Sequence, residues 1–111
     1  MEVRFHHEAR GEFNAYPSLA EKEAMQVALR RLELFGAELG YPHTSHVAGS
    51  PGLRELRPRG GNSPWRAFYR QVGARMLVAA FGPEARVDRH GFDRAVGLAA
   101  ERIADYERRE G

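Results

Sequence analysis

The sequence contains no cysteine. That excludes disulfide stapling and cysteine-ligated metal, and makes a reducing cytoplasm the expected setting. No apolar run approaches the ~18 residues that a membrane span needs. The opening MEVRFHHEAR is charged and carries no hydrophobic segment, so no secretory signal is expected. Net charge is also scarce, at only +2, which taken alone is a weak pointer to nucleic acid. The 111 residues, 42% of them hydrophobic, suffice for one modest core, so a single domain over 1–111 is expected. There is no internal repeat and no linker.

Arginine supplies nearly all of the positive charge: Lys22 is the only lysine beside sixteen arginines. GC-rich codon usage, consistent with abundant Ala and Gly, accounts for much of this excess. The guanidinium fork is also the side chain that grips phosphate bidentately, so position along the chain must decide its meaning.

Periodicity lays out the elements. Val3-Arg4-Phe5 reads as a short strand. Pro17 ends the segment that follows, and Ser18 with Glu21 forms a capping box. Met25, Ala28, Leu29, Leu32, Phe35 and Leu39 then trace one apolar stripe, giving a long helix over 19–39 stopped by Gly40 and Pro42. Residues 40–52, GYPHTSHVAGSPG, read as loop. LRELRP, WRAFYRQV and RMLVAAF read as three strands of a meander, the last two joined by a Gly73-Ala74 turn. Residues 82–91 read as loop, and Phe92, Val96, Ala99, Ile103 and Tyr106 mark a C-terminal amphipathic helix. The expected fold is α+β: an antiparallel sheet of three meander strands plus a short N-terminal strand, with a long N-terminal helix and a C-terminal helix covering one face.

Strand pairing can be worked out from the turns. Closure around 59–64 sets Arg57 opposite Arg66 and Glu55 opposite Phe68, and closure at Gly73-Ala74 sets Arg66 opposite Phe81 and Arg70 opposite Leu77. One face then carries Leu56, Ala67, Tyr69, Met76, Val78 and Ala80 with Arg54, and is assigned to helix packing. The other carries Leu53, Glu55, Arg57, Arg66, Phe68, Arg70, Leu77, Ala79 and Phe81. Arg57 and Arg66 become cross-strand neighbours, with Cβ atoms roughly 5 Å apart, an unfavourable pairing unless an anion lies between them. Glu55 could be that anion in a salt-bridge network, or a phosphate could satisfy both. The loop over 82–91 leaves the third strand beside this pair and brings Arg86, Arg89 and His90 towards it. Imidazole titrates near neutral pH and suits proton transfer, while arginine stabilises charge developing on phosphate. With an RNA 2′-hydroxyl as nucleophile no metal is required. The bland reading of His90 is an exposed loop histidine.

Gly52-Leu53-Arg54-Glu55-Leu56-Arg57, Trp65-Arg66-Ala67-Phe68-Tyr69, Ala80-Phe81-Gly82 and the helix ending Ala104-Asp105-Tyr106 resemble the phage-derived HigB-like toxins of the RelE superfamily. Leu39-Gly40-Tyr41-Pro42 is similar to that family's Leu-Gly-x-Pro after its long helix, and the likeness covers about residues 24–106. The resemblance implies an endoribonuclease that cuts messenger RNA at the ribosome, held inactive by a cognate antitoxin, a small helix-turn-helix protein. It implies that Arg57 and Arg66 hold the scissile phosphate, with His90 as acid or base and Arg86 or Arg89 assisting. Arg54, Arg59 and Arg70 would contact the RNA backbone. One departure stands out: where the family has a basic pair after the Phe, this chain reads Pro83-Glu84. The same fold as a non-catalytic binding module, directed at gyrase as in the ParE branch or only at an antitoxin, is the alternative. The N-terminal part has room for one long helix where many relatives have two.

The remaining candidates are weaker. His6-His7 and His43-Thr44-Ser45-His46 lack a ligand spacing that fits a metal site, so neither metal nor cofactor is expected. Gly60-Gly61 precedes no helix and reads as a hairpin turn. Trp65 could stack on a base, although at a strand start it is more often core or rim.

Overall fold

The computed structural model describes residues 1–16 and 18–110, so the expected stop at Pro17 lies outside the described residues. Five strands form one sheet: β1 (Glu2–Phe5), β2 (Thr44–His46), β3 (Arg54–Leu56), β4 (Trp65–Val72) and β5 (Arg75–Pro83). Their order is β1-β5-β4-β3-β2; β1 runs parallel to β5 and the other pairs are antiparallel. Three α-helices accompany them: α1 (His7–Asn14), α2 (Leu19–Phe35) and α3 (Arg89–Glu110). The α+β class, the meander, both expected helices and the N-terminal strand are all present. No helix among the described residues is long and apolar enough to cross a membrane.

Two elements are additional to those expected. Helix α1 buries only Ala9 and Phe13, too few positions to stand out as a stripe. It starts where the His6 ring nitrogen accepts the Glu8 N–H at 3.2 Å, in place of the usual hydroxyl or carboxylate cap. Two helices therefore precede the meander, not one. Strand β2 lies inside the expected loop, its Thr-Ser-His sequence showing no apolar alternation. Helix α2 begins as expected, with Ser18 Oγ accepting from the Glu21 N–H. It ends at Phe35, and the stretch up to Glu38 is a 3₁₀ turn.

Helices cover both faces of the sheet, not one. Met25, Ala28 and Leu32 of α2 and Ala9 and Phe13 of α1 pack with Leu56, Ala67, Tyr69, Met76, Val78 and Phe81. Ala95, Ala99 and Ile103 of α3 pack with Leu53, Phe68, Leu77, Ala79 and Ala80 on the other side. The face assignments hold except at the end of β5. Tyr69 pairs with Val78 but Phe68 pairs with Ala80, which leaves Ala79 as the extra residue of a β-bulge. Past the bulge every side chain changes face. Phe81 turns into the aromatic cluster of Phe5 and Phe13, Ala80 turns towards α3, and Arg66 lies opposite Gly82 instead of Phe81. Gly82 has no room for more: a Cβ there would sit 2.6 Å from that of Ala95, so α3 lies directly on the strand.

The bulge also leaves backbone to satisfy, because β1 pairs with β5 only as far as Val78. Glu12 of α1 accepts the Phe81 N–H at 3.0 Å, and Arg102 of α3 donates to the Ala79 carbonyl at 2.9 Å. The two side chains then pair with each other at 2.8 Å. Replacing Arg102 with Met keeps the apolar stem and removes this closure. It is expected to cost about 2–3 kcal/mol, read as a lowered free energy of unfolding in urea.

Candidate active site

The turn after β3 starts the site. Arg57 is one step beyond Leu56, which pairs with Ala67, so it lies opposite Arg66 as the turn geometry requires. Between them is Glu55. Its Oε1 accepts from Arg66 Nε at 3.1 Å and lies 3.5 Å from Arg57 Nη1. The anion demanded by two facing arginines is thus supplied by the chain itself.

Arg66 is buried to 2% exposure, and all five of its N–H donors are engaged. Beyond Glu55, Nη1 donates to the carbonyls of Ser63 (2.6 Å) and Trp65 (2.9 Å), and Nη2 to the Gly61 carbonyl (3.3 Å) and Glu84 Oε2 (2.6 Å). The departure at Pro83-Glu84 therefore has a physical role: Glu84 is the second carboxylate that neutralises this buried cation. Expected as a grip on phosphate, Arg66 instead locks the hairpin loop to two carboxylates and has no donor left to offer.

Arg57 is less committed. Nε donates to the Pro42 carbonyl at 3.0 Å, the guanidinium lies 5.2 Å from the centre of the Tyr41 ring, and the side chain keeps 20% exposure. Gly61 makes this position possible. Its φ is +103°, and a Cβ there would come within 2.4 Å of Arg57 Nη2.

The expected loop over 82–91 is shorter than its sequence suggests, because β5 runs to Pro83 and α3 begins at Arg89. His90 is therefore an exposed residue of the first helical turn, and no contact among the described residues ties it to Glu55, Arg57 or Arg66. Arg89 pairs with Asp93 one turn along α3 and lies over the Phe92 ring. Arg86 is exposed and has no ion pair among the described residues. Among the described residues none of the three contacts Arg57 or Arg66, although Arg89 lies over Phe92, which packs on Phe68, the cross-strand neighbour of Glu55.

The other candidates scatter. Arg54 faces the α2 side, with Nε donating to Thr44 Oγ1, which in turn meets the Tyr69 hydroxyl at 2.7 Å. Arg59 pairs with Glu21 of α2 at 2.7 Å, and Arg70 pairs with Glu107 of α3. Trp65 stacks on Tyr16, ring centres 5.1 Å apart, at the edge of the core, so it is not a free platform for a base. His6, His7 and Glu8 bring ligand atoms within 4.8 Å of one another. His6, however, spends Nδ1 on its helix cap, and a cation on its other nitrogen would have to displace the remaining ring proton. Burial, then His7 and Arg102, also push this imidazole below its ordinary pKa. The cluster is the start of α1.

The arrangement is a carboxylate held between two arginines at the mouth of a hairpin, on a sheet clasped by helices. Such a chain has the RelE fold. The structure of E. coli toxin RelE, as a double arginine-to-alanine mutant in the free state, superimposes with a TM-score of 0.61 at 16% identity, over 92% of this chain and 96% of that one. Residues 11–81 match the family described as phage-derived protein Gp49-like (DUF891), and the chain belongs to that family. No curated protein matches the sequence.

Proposed function

We propose that this protein is the toxin of a toxin–antitoxin pair and cleaves messenger RNA without a metal. The observation that carries the proposal is the Glu55 carboxylate. One oxygen is fixed between Arg57 and Arg66, and Oε2 has no hydrogen-bond partner among the described residues. In this reading Oε2 takes the proton of an RNA 2′-hydroxyl, whose oxygen attacks the adjacent phosphorus. The P–O5′ bond breaks, leaving a 2′,3′-cyclic phosphate and a 5′-hydroxyl end. Arg57, the less committed of the two cations, stabilises the charge that builds on the phosphate. Arg66 is a positioning residue, and His90 supplies the proton to the leaving 5′ oxygen. Membership of the Gp49-like family and the RelE fold support the reading.

The test is primer extension on a reporter messenger RNA after induced expression, beside growth. Growth arrest with new 5′-hydroxyl ends, both absent in His90→Ala, is the expected outcome. Ends that persist in His90→Ala would transfer the proton-donor role elsewhere. A second reading, a non-catalytic module that binds gyrase or only an antitoxin, is favoured by Glu84. This carboxylate takes up Arg66, and among the described residues none of Arg86, Arg89 and His90 contacts Arg57. Growth arrest without cleavage ends would establish a gyrase-like target, and no arrest would establish a module that binds only an antitoxin.

A further inference from the structure

Tyr41 is the most exposed of the large apolar side chains, at 76%, yet its position is fixed. It sits between Gly40 and Pro42, and both flanks are tied down. The Gly40 carbonyl accepts the His43 N–H at 3.0 Å, the Pro42 carbonyl accepts from Arg57 Nε, and the His43 carbonyl accepts the Arg57 N–H at 2.8 Å. The ring lies over the Arg57 guanidinium. A guanidinium against one face of an exposed aromatic polarises the ring and holds it in place, leaving the rest of it to solvent. An exposed aromatic presented this way adds only about 0.5–1 kcal/mol to folding through its guanidinium contact, and Trp65, the other aromatic of this region, has its face taken by Tyr16.

We propose that Tyr41 is a stacking platform for a nucleobase of single-stranded RNA, seated beside the residue that contacts the scissile phosphate. This rests on the nuclease reading above. Arg57 is the physical link: the same side chain touches the ring and the Glu55 carboxylate. A base laid on Tyr41 brings its own sugar and phosphate towards Arg57, so the platform sets which phosphate of a strand meets Glu55. Stacking on a flat ring discriminates little among bases, because every base has a π face. Tyr41 therefore fixes position along the strand more than sequence.

The experiment is equilibrium binding of a fluorescent 2′-O-methyl RNA octamer, which cannot supply the nucleophile, to the full chain and its variants. Tyr41→Ala is expected to weaken binding by about tenfold, while Tyr41→Phe and Tyr41→Trp bind as the wild type does. An abasic octamer of the same length should bind wild type and Tyr41→Ala equally. The ring makes no core contact, so an unchanged melting temperature certifies the fold of each variant. If wild type binds the octamer and Tyr41→Ala binds it equally well, the platform is overturned and the nuclease reading stands. If wild type binds no octamer, the platform is overturned, and the primer-extension test alone decides the nuclease reading. If Tyr41→Ala keeps RNA affinity but loses its co-expressed antitoxin, the ring belongs to a protein interface and the proposal is likewise overturned.

Discussion

Replacing Glu55 with glutamine is expected to lower RNA cleavage by about 10²- to 10⁴-fold, the range for loss of a general base, while the protein stays folded. Glutamine preserves the shape of the side chain and its oxygen can still accept from Arg66 Nε, but an amide cannot take a proton from a 2′-hydroxyl. Glu84 remains as the ionic partner of the buried guanidinium, so the cation is not left alone. Single-turnover cleavage of a short RNA, with a melting curve beside it, separates the two effects. Undiminished cleavage by Glu55→Gln would place the base elsewhere and reduce Glu55 to a counter-ion for the arginine pair.

The largest stability effect belongs to Arg66. Arg66→Met removes five hydrogen bonds and leaves Glu55 and Glu84 partly buried without their shared cation. Breaking a buried pair by removing one partner costs about 3–5 kcal/mol, a large part of what holds a small domain together. For a chain of this size the melting temperature is expected to fall by more than about 10 °C. Arg66→Lys should recover little, since an ammonium has three donors in no fixed plane and cannot serve two carboxylates and three carbonyls together. Harmless expression of an Arg66 variant would therefore report lost folding and say nothing about chemistry. A melting temperature within a few degrees of wild type for Arg66→Met would mean that the network contributes little to the fold.

The elements with a strong repeating pattern were legible: the α2 stripe, the meander turns and the α3 stripe all fall where periodicity puts them. Helix α1 and strand β2 were not, because Ala9 and Phe13 are too few to make a stripe and Thr44-Ser45-His46 has no apolar side chain. The bulge at Ala79 was invisible for a different reason. In a run such as Leu77-Val78-Ala79-Ala80-Phe81 every residue is apolar, so no alternation shows where the phase slips. That single slip moved Phe81 to the wrong face and put Arg66 opposite the wrong residue. Within the site, the facing of Arg57 and Arg66 followed from turn closure alone. Glu84 stood out as an acidic residue where a basic one was expected, but only the fold shows that it answers Arg66. The apolar stripe places the start of α3 at Phe92, three residues late, and so leaves His90 in a loop when it belongs to the first helical turn.

The pairing of the arginines has a consequence for how such a protein would find RNA. A nucleic-acid strand surrenders condensed counter-ions when protein cations replace them, and that release gives most non-specific binders their affinity. Arg59, Arg66, Arg70, Arg89 and Arg102 each already hold a carboxylate, so each has to give one up before it can replace a strand's ions. On the nuclease reading the protein is a poor collector of free transcripts in spite of its arginine content. On that reading a strand already held extended makes a better substrate than a free one, and a weak grip spares the rest of the cell's RNA.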